Sequence, residues 1–197
     1  MRVSNNLKPK SSKINQILKT ARELFFRYGI KRVSVEEICR TASVSKMTFY
    51  KYFKNKIDLV KTLMDKIYEQ AMTEYHQIMA EPIPYSKKIE KTIQWKLQWQ
   101  KEISQEFIKD FLFSENQDLY QFYQQKRKII LKKLLVDYQE AQKKGYIRKD
   151  IKPEFILYII NKLTDFYDDN VLLNMYDSPA ELTREVLNFF FYGILEK

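Results

Sequence analysis

The chain has one cysteine and one histidine in 197 residues. A disulfide needs two thiols, and the usual catalytic triads and His–Cys metal sites need several such side chains. Cys39 falls on an apolar helical stripe and reads as a small core residue. His76 lies near the end of a long helical segment, where a surface or satisfied position is the ordinary reading. Glycine is also scarce, with three residues, so no glycine-rich loop is present to cradle a phosphate. Five prolines leave long stretches without a helix breaker. There is no secretory signal and no apolar run long enough for a bilayer, so the expected compartment is the cytoplasm, without membrane attachment. No side-chain set points to catalysis, a metal or a cofactor. Asp165, Asp168 and Asp169 share a helical face and read as solvated or salt-bridging carboxylates.

What the chain does have is charge in one place. Residues 1–60 hold 14 Lys and Arg against 4 Asp and Glu, whereas residues 61–197 hold 21 of each, so the formal +10 belongs to the N-terminal third. A basic module on a neutral body is the electrostatic footprint of nucleic-acid binding. An enzyme reading lacks a convergent catalytic set. A membrane-surface reading needs a basic amphipathic helix with free apolar residues, and those of the head are consumed by its own small core.

Within this third, residues 34–59 read as two short helices, a tight turn and the start of another helix. Ser34 and Glu37 have capping-box spacing, and Val35, Ile38, Cys39 and Ala42 then form one helical face. Ser45 caps the next helix, with Val44 and Phe49 placed as a hydrophobic staple and Phe53 extending the apolar face. Asn55 caps a third, with Asp58 near its positive dipole end. The other face of the Ser45 helix carries Lys46, Met47, Thr48, Tyr50, Lys51, Tyr52 and Lys54, a set suited to the major groove. Lys56, at the start of the following helix, is placed for a phosphate. The bland alternative for any such helix pair is a solvated basic surface.

The remainder reads as all-α. A first helix is expected from about Ser12 to Tyr28, with Gly29 as a left-handed stop, and a long helix from Lys56 to about Met79. Pro82 and Pro84 break the chain. Further helices are expected over about 86–101, 104–113, 118–144, 153–175 and 178–195, the last with a strong start at Ser178, Pro179 and Glu181. The arm before the first helix, with Arg2, Lys8, Lys10 and Lys13, reaches an adjacent groove or is disordered in the free protein.

At these residues the sequence resembles the TetR family of bacterial transcriptional regulators. The match runs through Phe25, Phe26, Gly29, Ser34, Val35, Ile38, Cys39, Ala42, Val44 and Ser45. It continues in register through Thr48, Phe49, Tyr50, Tyr52, Phe53, Lys54, Asn55, Lys56 and Leu59. Ser43 stands where the family has a turn glycine, and Met47 where it has a small residue. The resemblance implies a three-helix helix-turn-helix DNA-binding domain (residues 1–58) joined by the long helix to a helical effector-binding and dimerisation domain (residues 59–197). It places Lys46, Met47, Thr48 and Tyr50 toward base edges, and Ser34, Ser45, Lys51, Tyr52 and Lys56 toward the DNA backbone. The implied function is a ligand-responsive regulator, in the first instance a repressor, that binds a palindromic double-stranded operator as a homodimer.

The last two helices carry wide apolar stripes, which either close the monomer's own core or, as the resemblance implies, form a four-helix bundle across a two-fold axis. Ile159, Leu163, Phe166, Val186 and Phe190 are the candidate interface residues. The family's effector pocket would fall in the aromatic-rich middle of the chain, with Trp99, Phe107, Phe111 and Tyr123 as candidate lining. Such a site suits a small, flat, apolar effector, with room for a cationic group over the ring faces. The competing reading is a DNA-binding protein without an effector, whose body docks another protein; it predicts a fully packed body without a cavity and an exposed apolar patch.

Overall fold

The computed structural model describes residues 12–162, 166 and 169–194, and all of the architecture below concerns those residues. It is all-helical: α1 (Lys13–Tyr28), α2 (Val35–Thr41), α3 (Lys46–Tyr52), α4 (Lys56–Ala80), α5 (Tyr85–Gln100), α6 (Gln105–Leu112), α7 (Gln117–Lys143), α8 (Pro153–Lys162), α9 (Asn170–Leu173) and α10 (Pro179–Ile194). Among the described residues no helix is long and apolar enough to cross a membrane.

Helix starts follow the capping chemistry of the sequence. Ser34 Oγ accepts from Glu37 N at 3.1 Å and Ser45 Oγ from Thr48 N at 3.0 Å. Asn55 Oδ1 accepts from Asp58 N at 2.9 Å, while Asp58 Oδ2 accepts from Lys54 N at 2.9 Å, so the α4 start is closed from both sides. Ser178 Oγ accepts from Glu181 N at 3.3 Å in the same way. Among the described residues Ser43, Gly29 and Gly145 carry positive φ. Ser43 is at +53°, the conformation that a glycine would adopt at lower cost. Gly29 is not the left-handed stop that was expected: at φ +83°, ψ +166° it occupies a region essentially restricted to glycine.

The expected helix over 153–175 is two elements. Described helix ends at Lys162, and Asp169 Oδ1 accepts from Val171 N and Leu172 N, so this carboxylate starts a new short helix at Asn170. Asp165 and Asp168 lie outside the described residues, as do Arg2, Lys8 and Lys10 of the basic arm.

α1–α3 form the head around fully buried Ile17, Phe25, Ile38 and Phe49. Its core is continuous with Leu59, Val60 and Leu63 on α4 and with Phe107, Phe111, Leu119 and Tyr123 of the body. No linker separates head from body, because α4 runs through both. A second seam joins α1 to α6. Phe26 sits edge-on to Phe107 (4.9 Å) and Trp99 (5.8 Å), and its carbonyl accepts from Ser104 N at 2.8 Å. Asp110 Oδ2 accepts from Lys31 N at 2.8 Å, and the ion pairs Arg22–Glu102 (2.7 Å) and Lys31–Glu115 (2.8 Å) flank it. Two smaller clusters fill the body, one around Tyr138, Ile147, Ile156 and Phe190, the other around Ile89, Ile93 and Leu97.

Candidate nucleic-acid interface and ligand cavity

Phe49 decides which way α3 faces. It is fully buried, with its ring against Phe53 (5.5 Å), so the opposite side of this seven-residue helix must turn outward. Met47 is 82% exposed and Tyr50 56%; Lys46, Lys51, Tyr52 and Lys54 are exposed too. Thr48 is half-buried, its Oγ1 within 2.9 Å of Ser45 Oγ, so the cap residue and the second polar side chain hold each other at the N-terminus of α3. Ser34 is exposed at the start of α2.

The cations near this face are not equivalent. Lys46 pairs with Glu36 of α2. The hydrogen bond to Lys46 holds the Glu36 carboxyl below its ordinary pKa, and the same bond raises the lysine. Lys56 differs from its expected role. Its Nζ donates to the carbonyls of Ile30 (2.7 Å), Lys31 (3.2 Å) and Val33 (2.9 Å). An ammonium has three protons and all three are directed at main-chain acceptors, so the side chain ties the α1–α2 connection to α4 and has no proton left for a phosphate. Burial lowers its pKa, which fits an ammonium withdrawn from water. Cys39 is buried, and desolvation raises its thiol pKa, as expected for an inert core residue.

The body holds a cavity of about 380 Å³ between α4, α5, α7 and α10. Of the four aromatics expected in a pocket, only Trp99 lines it. Phe107, Phe111 and Tyr123 are instead buried in the core beneath the head, with Phe107 stacked on Phe111 (6.0 Å) and Phe111 edge-on to Tyr123 (5.5 Å). Trp95, four residues before Trp99, lines the cavity with it. The lining also holds one charged side chain among the described residues, Lys96, which sequence reasoning passed over. The signal was there: Ile89, Thr92, Ile93 and Trp99 mark one stripe of α5, and Lys96 occupies an apolar place on it.

The candidate dimer residues fall in several places. Val186, Phe190 and Phe166 line the cavity, Ile159 is half-buried against the cluster around Ile156, and Leu163 lies outside the described residues. The outward faces of α8 and α10 carry other aromatics: Phe155 (53% exposed), Tyr158, Phe189 (85%) and Tyr192.

The family described as bacterial regulatory proteins, tetR family, matches residues 17–63, from within α1 to within α4. The chain is similar to the uncharacterized HTH-type transcriptional regulator YdgC of Bacillus subtilis (strain 168), with 24% identity over 190 residues and 92% of each chain. It is 33% identical to the HTH-type transcriptional regulator TtgR of Pseudomonas putida over 54 residues, 27% of this chain and 26% of the other. Its fold is shared with the fatty acid degradation regulator FadR from Bacillus halodurans, at TM-score 0.71 and 20% identity over 93% of this chain and 97% of that one. A Saccharomonospora viridis protein determined in complex with choline superposes at TM-score 0.76 and 17% identity, over 95% and 100% of the two chains.

Proposed function

We propose, for a chain that belongs to the TetR family of bacterial transcriptional regulators and carries that family's DNA-binding domain, that it is a ligand-released repressor acting as a homodimer on a palindromic operator. The carrying observation is the outward face of α3, fixed by buried Phe49, in the part of the chain that holds all the net charge. Residues 1–58 form the reading head and residues 59–197 the effector-binding and dimerisation body, with α4 as the rigid join. Met47 and Tyr50 meet base edges in the major groove, with Lys46 and Thr48 beside them. Ser34, Ser45, Lys51 and Tyr52 touch the backbone. Two copies, joined through the exposed aromatic faces of α8 and α10, hold two heads about one helical turn of DNA apart.

Release follows from linkage. A ligand that binds better to a conformation with misplaced heads lowers operator affinity by the ratio of its two affinities. The geometry supplies a route: Trp99 lines the cavity and its ring meets Phe26 of α1 edge-on. The open, largely apolar cavity favours this reading over a DNA-binding protein whose body only docks another protein. The test is a gel-shift titration against DNA from the protein's own promoter region, beside a shuffled sequence. A retarded dimer complex on the promoter DNA alone is expected. Equal binding to both DNAs at every salt concentration overturns specific regulation.

A further inference from the structure

Lys96 is the one charged side chain in the described lining of an otherwise apolar and aromatic cavity. It makes no ion pair or hydrogen bond among the described residues. The neighbouring polar groups do not serve it. Thr92 Oγ1 donates its proton to the Lys88 carbonyl at 2.9 Å. Tyr68, Tyr75 and Tyr138 have phenol pKa values raised first by burial, so they stay neutral. Asp137, which acts on Tyr75, Tyr85 and Tyr138, and Asp65, which acts on Tyr68, are not part of the lining. More than a third of the Lys96 surface is accessible, and yet burial lowers its pKa. Its place in the lining puts the side chain against the apolar wall of the cavity.

An unpaired ammonium against apolar walls is costly unless a counter-charge meets it. We propose that a ligand supplies that counter-charge: the cavity takes an amphipathic monoanion, an apolar chain or ring carrying one carboxylate, with the carboxylate on Lys96 and the apolar part against Trp95, Trp99 and Phe190. This replaces the expectation of a cationic effector, because Lys96 repels a cation that the rings alone would attract. The inference deepens the ligand-released reading above and rests on it for its biological meaning, although the binding step stands separately.

The experiment is calorimetry on the full chain with two pairs of probes: decanoate against decan-1-ol, and 4-phenylbutyrate against 4-phenylbutan-1-ol. A charge-assisted hydrogen bond in an apolar site makes the acid bind at least about tenfold tighter than its alcohol in at least one pair. Lys96→Met abolishes that preference while alcohol binding persists, and Lys96→Arg preserves it; Lys96→Gln makes the same comparison if the Met variant folds poorly. Absence of an acid preference in both pairs, or its survival in Lys96→Met, overturns the proposal. The same probes added to the promoter-DNA complex separate the two readings. Lys96-dependent decanoate binding that leaves the complex intact supports the site and sinks ligand release. Release by the alcohols without any acid preference does the opposite.

Discussion

The cations of the head divide into those already committed and those still available. Arg22, Lys31 and Lys46 are in ion pairs, and Lys56 is spent on three carbonyls. Arg40, Lys51 and Lys54 are exposed and make no ion pair among the described residues. Lys51→Ala therefore weakens binding to all DNA sequences alike and reduces the slope of log affinity against log salt by about 1. Lys56→Met should barely change that slope, because its ammonium is directed at three main-chain carbonyls. It instead lowers stability by about 2 kcal/mol through the loss of hydrogen bonds to a charged donor, read as a lower urea midpoint. An unchanged midpoint together with a flattened salt slope would restore Lys56 as a phosphate contact. Glu36→Gln frees Lys46 and should tighten DNA binding with a steeper salt slope. The caps at Ser34, Ser45 and Asn55 were legible in the sequence because donor and acceptor lie three residues apart. The role of Lys56 was not, because its acceptors lie 23 to 26 residues away.

Among the elements, legibility tracked the clarity of the punctuation. α1–α4 carry a cap at each start and appear close to where they were expected. The expected helix over 153–175 failed because apolar periodicity does not register a carboxylate that caps a restart, as Asp169 does. On α10 the sequence left open whether the apolar stripe turns to the chain's own core or to a second copy. Phe189, Phe190 and Phe191 are consecutive, and steps of about 100° place them on different sides of the helix. Only packing shows that Phe190 turns to the cavity and Phe189 to solvent. The α1–α6 seam was invisible in the sequence, yet it constrains Gly29 twice. A Cβ there would lie 2.8 Å from Asp110 Oδ2, and the backbone is already at φ +83°. Gly29→Ala should cost about 1–3 kcal/mol from backbone strain alone and displace Asp110 from Lys31 N. Thermal unfolding checks the first effect and hydrogen exchange at the Lys31 amide the second. Wild-type protection at Lys31 in this variant would show that the seam yields without breaking.

At the scale of the whole molecule, the two surfaces of α8 and α10 must do different work. Their inner faces close the cavity and the core around Ile156, so their outer aromatics are free to meet another copy. Phe189 at 85% exposure has little packing to lose within its own chain, which makes it a clean probe of association. The double variant Phe189→Glu/Tyr192→Glu should keep the wild-type helical circular dichroism. Across a two-fold interface it would place like charges and desolvated carboxylates against their own copies, and light scattering should report a monomer. If, as proposed, each α3 reads one half-site, the loss of the second head should lower operator affinity by about 10²–10⁴-fold, the usual gain from joining two sites. Val186→Glu, facing the cavity, should instead disturb ligand binding and folding of the body. A double variant that stays dimeric and grips the operator as before would move the two-fold interface away from these outer faces.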